Sequence, residues 1–171
     1  MDVEPGRFYE TPVLWAVENG ITNGVDATHF GPEQICNRAQ VVTFLWRASG
    51  SPEPASDANP FVDVQPGTFY YKAVLWAVEE GITNGVDATH FGAQQECTRG
   101  HVATFLWRTL EKPAPGGSNP FTDVAAGRFY YDAVLWAVEN GITNGMTATT
   151  FAPDTSCTRG QIVTFLYRAL G

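Results

Sequence analysis

Phe8-Tyr9-Glu10-Thr11-Pro12-Val13-Leu14-Trp15-Ala16-Val17-Glu18-Asn19-Gly20-Ile21-Thr22-Asn23-Gly24 decides the architecture, because the chain writes it three times. Edited versions begin at Phe69 and Phe129, and each is followed by a second matching stretch: Cys36-Asn37-Arg38, Cys97-Thr98-Arg99 and Cys157-Thr158-Arg159. The arginines are offset by 61 and then 60 residues. A period that regular marks a supersecondary unit whose copies bury their apolar faces against one another. Segments rich in Pro, Gly, Ser and Asn at 51–60 and 111–120 cannot continue a helix. They divide the chain into repeat 1 (residues 1–50), repeat 2 (61–110) and repeat 3 (121–171).

Each repeat reads as two helices. The first is predicted over 8–19, 69–80 and 129–140, stopped by Gly20, Gly81 and Gly141 at the left-handed position after a helix end. At about 100° per residue its apolar residues fall on two flanks. Tyr131, Val134 and Val138 share one flank, and Phe129, Ala133 and Trp136 the other. Such a helix is expected to be sandwiched, with the second helix of its own repeat on one flank and a neighbouring repeat or ligand on the other. The connector Gly-Ile-Thr-Asn-Gly carries turn chemistry, and Phe30, Phe91 and Phe151 follow as apolar anchors.

The second helix starts after the N-cap residues Asn37, Thr98 and Thr158. Gln40 and Gln161 complete capping boxes, and His101 breaks the pattern in repeat 2. The stripe Val41, Phe44, Leu45 recurs as Val102, Phe105, Leu106 and as Ile162, Phe165, Leu166. The expectation is an all-α fold with three tandem helix-loop-helix repeats about a common axis.

Bulk properties exclude several classes. A chain of 171 residues with 44% apolar and 13% aromatic residues is globular rather than disordered. A net charge of −8 provides no basic stripe for nucleic acid and no attraction to anionic lipid. No apolar run reaches the roughly 18 residues a membrane span needs. One cysteine per repeat is a poor disulfide framework, and no paired Cys/His spacing offers a zinc site, so Cys36, Cys97 and Cys157 read as buried free thiols. Three thiols meeting on the axis is the alternative. His29 and His90 align with Thr150, which rules out a threefold histidine metal site. No catalytic signature and no cofactor motif is present, so no enzyme is expected.

The candidate functional residues are Arg38, Arg99 and Arg159. Each opens helix two, in line with inward-facing residues such as Val42 and Leu45 or Val163 and Leu166. A guanidinium beside the free N–H groups and positive dipole end of a helix suits a carboxylate or phosphate. The competing reading is an internal ion pair, with Asp2, Asp63 or Asp123 as partner. Trp15, Trp76 and Trp136 would either line a sugar-stacking groove or pack between repeats. Arg47, Arg108 and Arg168 fall in the last turn of helix two, where a cation suits the dipole. Glu18, Glu79 and Glu139 read as a solvated face.

These motifs together resemble the S-layer homology family over essentially the whole chain. The resemblance rests on Phe-x-Asp-Val (Phe61–Val64 and Phe121–Val124), the Gly-Ile-x-x-Gly turn, the Phe30/Phe91/Phe151 anchor and the Thr-Arg opening of helix two. It implies a three-pronged, pseudo-threefold helical assembly that anchors an extracellular protein noncovalently to the bacterial cell wall. The implied partner is a secondary cell-wall polysaccharide carrying an anionic, pyruvylated sugar, held in grooves between repeats. It also implies that the chain is part of a larger surface protein. Glycan-binding candidates are then Arg38, Arg99, Arg159, Asp2, Asp63, Asp123, Gly24, Gly85, Gly145, Trp15, Trp76 and Trp136. The family's Thr-Arg-Ala-Glu reads Asn37-Arg38-Ala39-Gln40, Thr98-Arg99-Gly100-His101 and Thr158-Arg159-Gly160-Gln161, so no copy carries the glutamate. The family's tryptophan at the start of helix one is replaced by Phe8, Phe69 and Phe129. A structural or protein-interaction module without glycan binding is the alternative.

Overall fold

A computed structural model describes residues 2–171. Among them the helices are α1 (Glu10–Glu18), α2 (Arg38–Ala48), α3 (Tyr71–Glu79), α4 (Arg99–Thr109), α5 (Tyr131–Glu139) and α6 (Arg159–Leu170). The described residues form no β-sheet, so the fold is all-α. Isolated bridges join Ile35 to Thr158, Asn37 to Glu96 and Thr98 to Ser156.

Helix two starts where its caps place it. Asn37 and Thr158 each accept the N–H of the glutamine three residues on, and that glutamine's side chain returns to the cap's own N–H. In repeat 2 the His101 Nδ1 instead lies 2.8 Å from Thr98 Oγ1, and the cap makes no side-chain bond to the helix backbone. Helix one starts two residues later than expected. Tyr9, Tyr70 and Tyr130 stand at its N-cap without a side-chain cap bond, and Phe8, Phe69 and Phe129 fall in the preceding turn with more than half their surface exposed.

The pairing of helices corrects the sequence reading more deeply. No first helix packs on the second helix of its own repeat; α3 lies on α2, α5 on α4, and α1 on α6. Each repeat therefore hands its second helix to the next repeat, and repeat 3 closes the ring onto repeat 1. The second helices also touch one another, which puts α2, α4 and α6 at the centre and α1, α3 and α5 outside. Val41, Phe44, Leu45 and their counterparts are buried there, each worth about 1.5–3 kcal/mol in transfer from water.

The cysteines sit where the three repeats converge. Cys36 donates its N–H to the Cys157 carbonyl (3.1 Å), Cys157 to Cys97 (2.9 Å) and Cys97 to Cys36 (2.9 Å), a closed ring of backbone hydrogen bonds. All three are free thiols with no exposed surface. Among the described residues no cluster of three metal-ligating side chains forms, here or elsewhere.

Candidate functional site

Arg38, Arg99 and Arg159 are almost fully buried, with exposures of 4%, 4% and 3%. Each reaches across to the next repeat. Arg38 donates from Nε to the Phe91 carbonyl (3.2 Å) and from Nη2 to the Asn84 carbonyl (3.0 Å) and Thr83 Oγ1 (3.3 Å). Arg99 does the same to Phe151 (2.9 Å), Asn144 (2.8 Å) and Thr143 (3.5 Å). Arg159 closes the circle on Phe30 (2.8 Å) and Thr22 (3.0 Å) of repeat 1. The guanidinium carbons also lie over aromatic rings, Arg38 at 4.9 Å from the centroid of Phe91 and 5.5 Å from that of Phe105.

Two parts of the expected anion receptor are arranged differently. The helix N-terminus is occupied: Arg38 N–H donates to the Gln95 carbonyl (2.8 Å) and Ala39 N–H to that of Ala93 (3.1 Å), and α4 and α6 repeat the arrangement. The dipole end thus meets backbone of the neighbouring repeat, not open space. The aspartates are not ion-pair partners either. Among the described residues no carboxylate lies within salt-bridge distance of these three arginines. Asp63 accepts the N–H groups of Phe91, Gly92 and Ala93 at 2.8–3.0 Å, Asp2 those of Phe30 and Gly31, and Asp123 those of Phe151 and Ala152.

The guanidinium of Arg38 keeps one outlet. Its Nη1 makes no hydrogen bond to protein, and no buried side-chain nitrogen or oxygen among the described residues lacks a partner, so Nη1 meets solvent. It does so in a groove of about 310 Å³ lined by Arg38, Asn84, Gly85, His101, Arg108 and Phe129 among others. Burial lowers Arg38 from its ordinary pKa, with Cys97 and Asp63 acting in the opposite direction; an arginine remains charged across the working pH range. His101 is pushed down to about 4 by burial and by the Arg38 charge, so it stands neutral in the groove at pH 7. Arg108 donates from Nη1 to the Ile82 carbonyl (3.1 Å), so the Ile82–Asn84 strip is held by an arginine from each side. Arg47 and Arg168 make the matching bond to Ile21 and Ile142, which is a tertiary role beyond the helix-dipole role expected for them.

Gly85 forms part of the groove wall because nothing larger fits. A β-carbon there would meet the Asp87 carbonyl and the Phe61 ring at 2.5 Å, and the His90 carbonyl closer still. Gly145 and Gly24 are held close to their loops in the same way, Gly24 with φ +85°. Trp76 and Trp136 are packed away at 6% and 5% exposure, and Trp15 is half-buried with its ring edge-on to Tyr167 at 5.6 Å. Of the sequence candidates, the structure brings only Arg38 and Gly85 into this one groove. Arg108, His101, Asn84 and Phe129 join them without having been singled out as ligand groups. Thr22, Thr83 and Thr143, each 2% exposed, were also missed, although their recurrence in Gly-Ile-Thr-Asn-Gly was the available signal.

Residues 2–42, 60–103 and 120–163 each match the model of the S-layer homology domain. The chain is 36% identical over 117 residues to the Surface-layer 125 kDa protein of Lysinibacillus sphaericus, covering 68% of this chain and 10% of that protein. It is 29% identical over 138 residues to a Cell surface protein of Thermoanaerobacter kivui, covering 78% of this chain and 18% of that one. An Endoglucanase of Bacillus sp. (strain KSM-635) is 31% identical over 117 residues, covering 68% of this chain and 12% of its own. The chain thus spans less than a fifth of the length of each of these relatives.

Proposed function

Because the chain belongs to the S-layer homology domain family, we propose that it is a noncovalent anchor to the bacterial cell wall, carrying a larger surface protein outside the cell. Its ligand is a secondary cell-wall polysaccharide, and the group recognised is a carboxylate such as that of a pyruvylated sugar. The three repeats act as a pseudo-threefold, three-pronged platform with grooves between repeats, and Arg38, Arg99 and Arg159 are its anion-binding groups. The aspartates and the connector glycines shape those grooves through the backbone.

One observation carries this reading. Arg38 is buried without a carboxylate partner, yet turns Nη1 into an open groove that also holds Arg108. A buried guanidinium with an unfilled N–H is a strong donor site for an oxyanion. In a chain of net charge −8, such grooves give a polyanion a place to settle that the rest of the surface denies it.

The test is sedimentation of the protein with purified native cell wall, before and after hydrofluoric acid removes the polysaccharide. Binding is expected only to the untreated wall. Arg38→Lys keeps the charge but loses the fork, and Phe129→Ala removes an exposed ring at the groove rim; both are expected to weaken binding while the domain still melts cooperatively. Equal sedimentation with stripped peptidoglycan, or full binding by both variants, overturns the reading and leaves the arginines as cross-repeat clamps.

A further inference from the structure

The repeats are near-copies in sequence, but one helix face is covered in only two of them. Leu75 of α3 and Leu135 of α5 are 5% and 7% exposed, while the equivalent Leu14 of α1 is 47% exposed. Trp76 and Trp136 are buried where Trp15 is only half-buried, and Val17 is exposed where Val78 and Val138 are not. Each of these helices packs on an equivalent partner, α2, α4 or α6, so the difference arises outside the helix pair.

The linkers account for it. Leaving α2, the chain is caught by the Trp46 indole, which donates to the Pro52 carbonyl (2.7 Å), and then by Glu79 of α3, whose Oε2 accepts the Ala55 N–H (2.9 Å). The second linker repeats both contacts, from Trp107 to Pro113 (2.8 Å) and from Gly116 N–H to Glu139 (2.8 Å). Glu79 and Glu139 lie on an exposed face, as the sequence suggests, and serve there as linker clasps. The alternating prolines Pro52 and Pro54, and Pro113 and Pro115, are half-buried between the two contacts. The α1–α6 face presents the same receptor unfilled. Glu18 occupies the position of Glu79 and makes no side-chain hydrogen bond or ion pair among the described residues, Tyr167 stands in place of Trp46, and Leu14, Trp15 and Val17 form the apolar bed.

We infer that the α1–α6 face is a docking site for an extended Pro-x-Pro segment of the same polypeptide running on from Gly171. The filled copies set the direction. The anchoring proline follows the helix-two aromatic by six residues in both, and the same step from Tyr167 passes Gly171 and lands just beyond it. Gly171 is in register with Gly50, the residue from which the first linker departs. The segment offers a carbonyl to the Tyr167 hydroxyl and a backbone N–H to Glu18, with prolines between them keeping it extended at low entropic cost.

The experiment appends Ser-Pro-Glu-Pro-Ala-Ser-Asp-Ala, copied from residues 51–58, directly after Gly171 of the full chain. Hydroxyl-radical footprinting read by mass spectrometry then reports each face. Oxidation of Leu14 and Trp15 is expected to fall toward that of Leu75 and Trp76, and melting temperature to rise. Replacing both appended prolines with serine, or Glu18→Ala in the extended chain, is expected to restore most of the Leu14 oxidation. An unchanged Leu14 footprint overturns the inference. So does protection that arises only when the octapeptide is placed ahead of Met1, which would assign the face to an N-terminal segment.

Discussion

Arg38 and Asp63 hold one residue from its two sides: Phe91 donates its N–H to Asp63 Oδ1 at 2.8 Å and offers its carbonyl to Arg38 Nε at 3.2 Å. Arg38 comes from the first repeat, Asp63 and Phe91 from the second, so the peptide between them is a joint. Arg99 and Asp123 clamp Phe151 in the same manner, and Arg159 and Asp2 clamp Phe30. The Phe91–Gly92 peptide thus gives its carbonyl to Arg38 and its N–H to Asp63 Oδ2 (2.8 Å), so the opposite charges stabilise one peptide dipole without meeting.

This arrangement makes the loop acid-sensitive. Partial burial pushes Asp63 upward, but the N–H groups of Ala93, Phe91 and Gly92 outweigh it and hold the carboxyl below its ordinary value. A depressed carboxylate stabilises the fold above its unfolded pKa and ceases to do so as pH falls through the folded value. Asp63→Asn is therefore expected to lower stability by roughly 1 kcal/mol at pH 7, a figure reduced for the solvent around this partly exposed group. The gap should narrow on acidification to about pH 3, below the ordinary aspartate value of about 3.9, and close only once the folded carboxyl is itself protonated. Thermal melts of both proteins at the two pH values check this; a constant gap would mean the charge is irrelevant.

Two glycines distinguish space from backbone conformation. Gly81 has φ +66° and open space around its β-position, whereas Gly85 is hemmed in by the Phe61 ring and two loop carbonyls. Gly81→Ala is expected to cost about 1 kcal/mol, the ordinary penalty for a left-handed alanine. Gly85→Ala should cost about 2–4 kcal/mol, because backbone carbonyls cannot move aside as a side chain does. Urea denaturation of the two variants ranks them, and equal costs would remove the steric account of the groove wall.

Repeat 2 lacks the capping box that its sisters possess. His101→Gln supplies the missing side chain, so the Thr98 N–H gains an acceptor as the Asn37 and Thr158 N–H groups have. A gain of about 0.5–1 kcal/mol is expected. A fall in melting temperature would show instead that the ring's contact with Phe129, at 5.0 Å between centroids, outweighs the lost cap.

The thiols should be chemically silent in the folded protein. Burial pushes Cys36 up to about 11 and Cys157 up to about 12, and raises Cys97 further with help from the neighbouring cysteines. Thiolate is the reactive form, so a disulfide reagent at pH 8 is expected to label none of the three natively and all three in denaturant. Rapid native labelling would show that the ring of cysteine backbones opens readily.

Local chemistry was legible in the residues. The starts of α2 and α6 follow from Asn37 with Gln40 and Thr158 with Gln161, because a capping box is made within four residues. The start of helix one was misplaced because Tyr9, Tyr70 and Tyr130 cap nothing with their side chains and leave no signature. The importance of Arg38, Arg99 and Arg159 was visible from their place on the inward line of helix two. Their partners were not, because those are mostly backbone carbonyls, which every residue possesses.

By itself the amino-acid order determined three copies of a two-helix unit, their apolar faces and the arginine that opens each second helix, since periodicity and capping act over one or two turns. Only the tertiary structure decided that each second helix serves the following repeat, that the helix mouths are stopped by neighbouring carbonyls, and that the groove beside Arg38 stays open. Near-identical repeats present near-identical faces, so sequence cannot say which copy a face will meet. Ring closure and linker packing settle that choice in three dimensions.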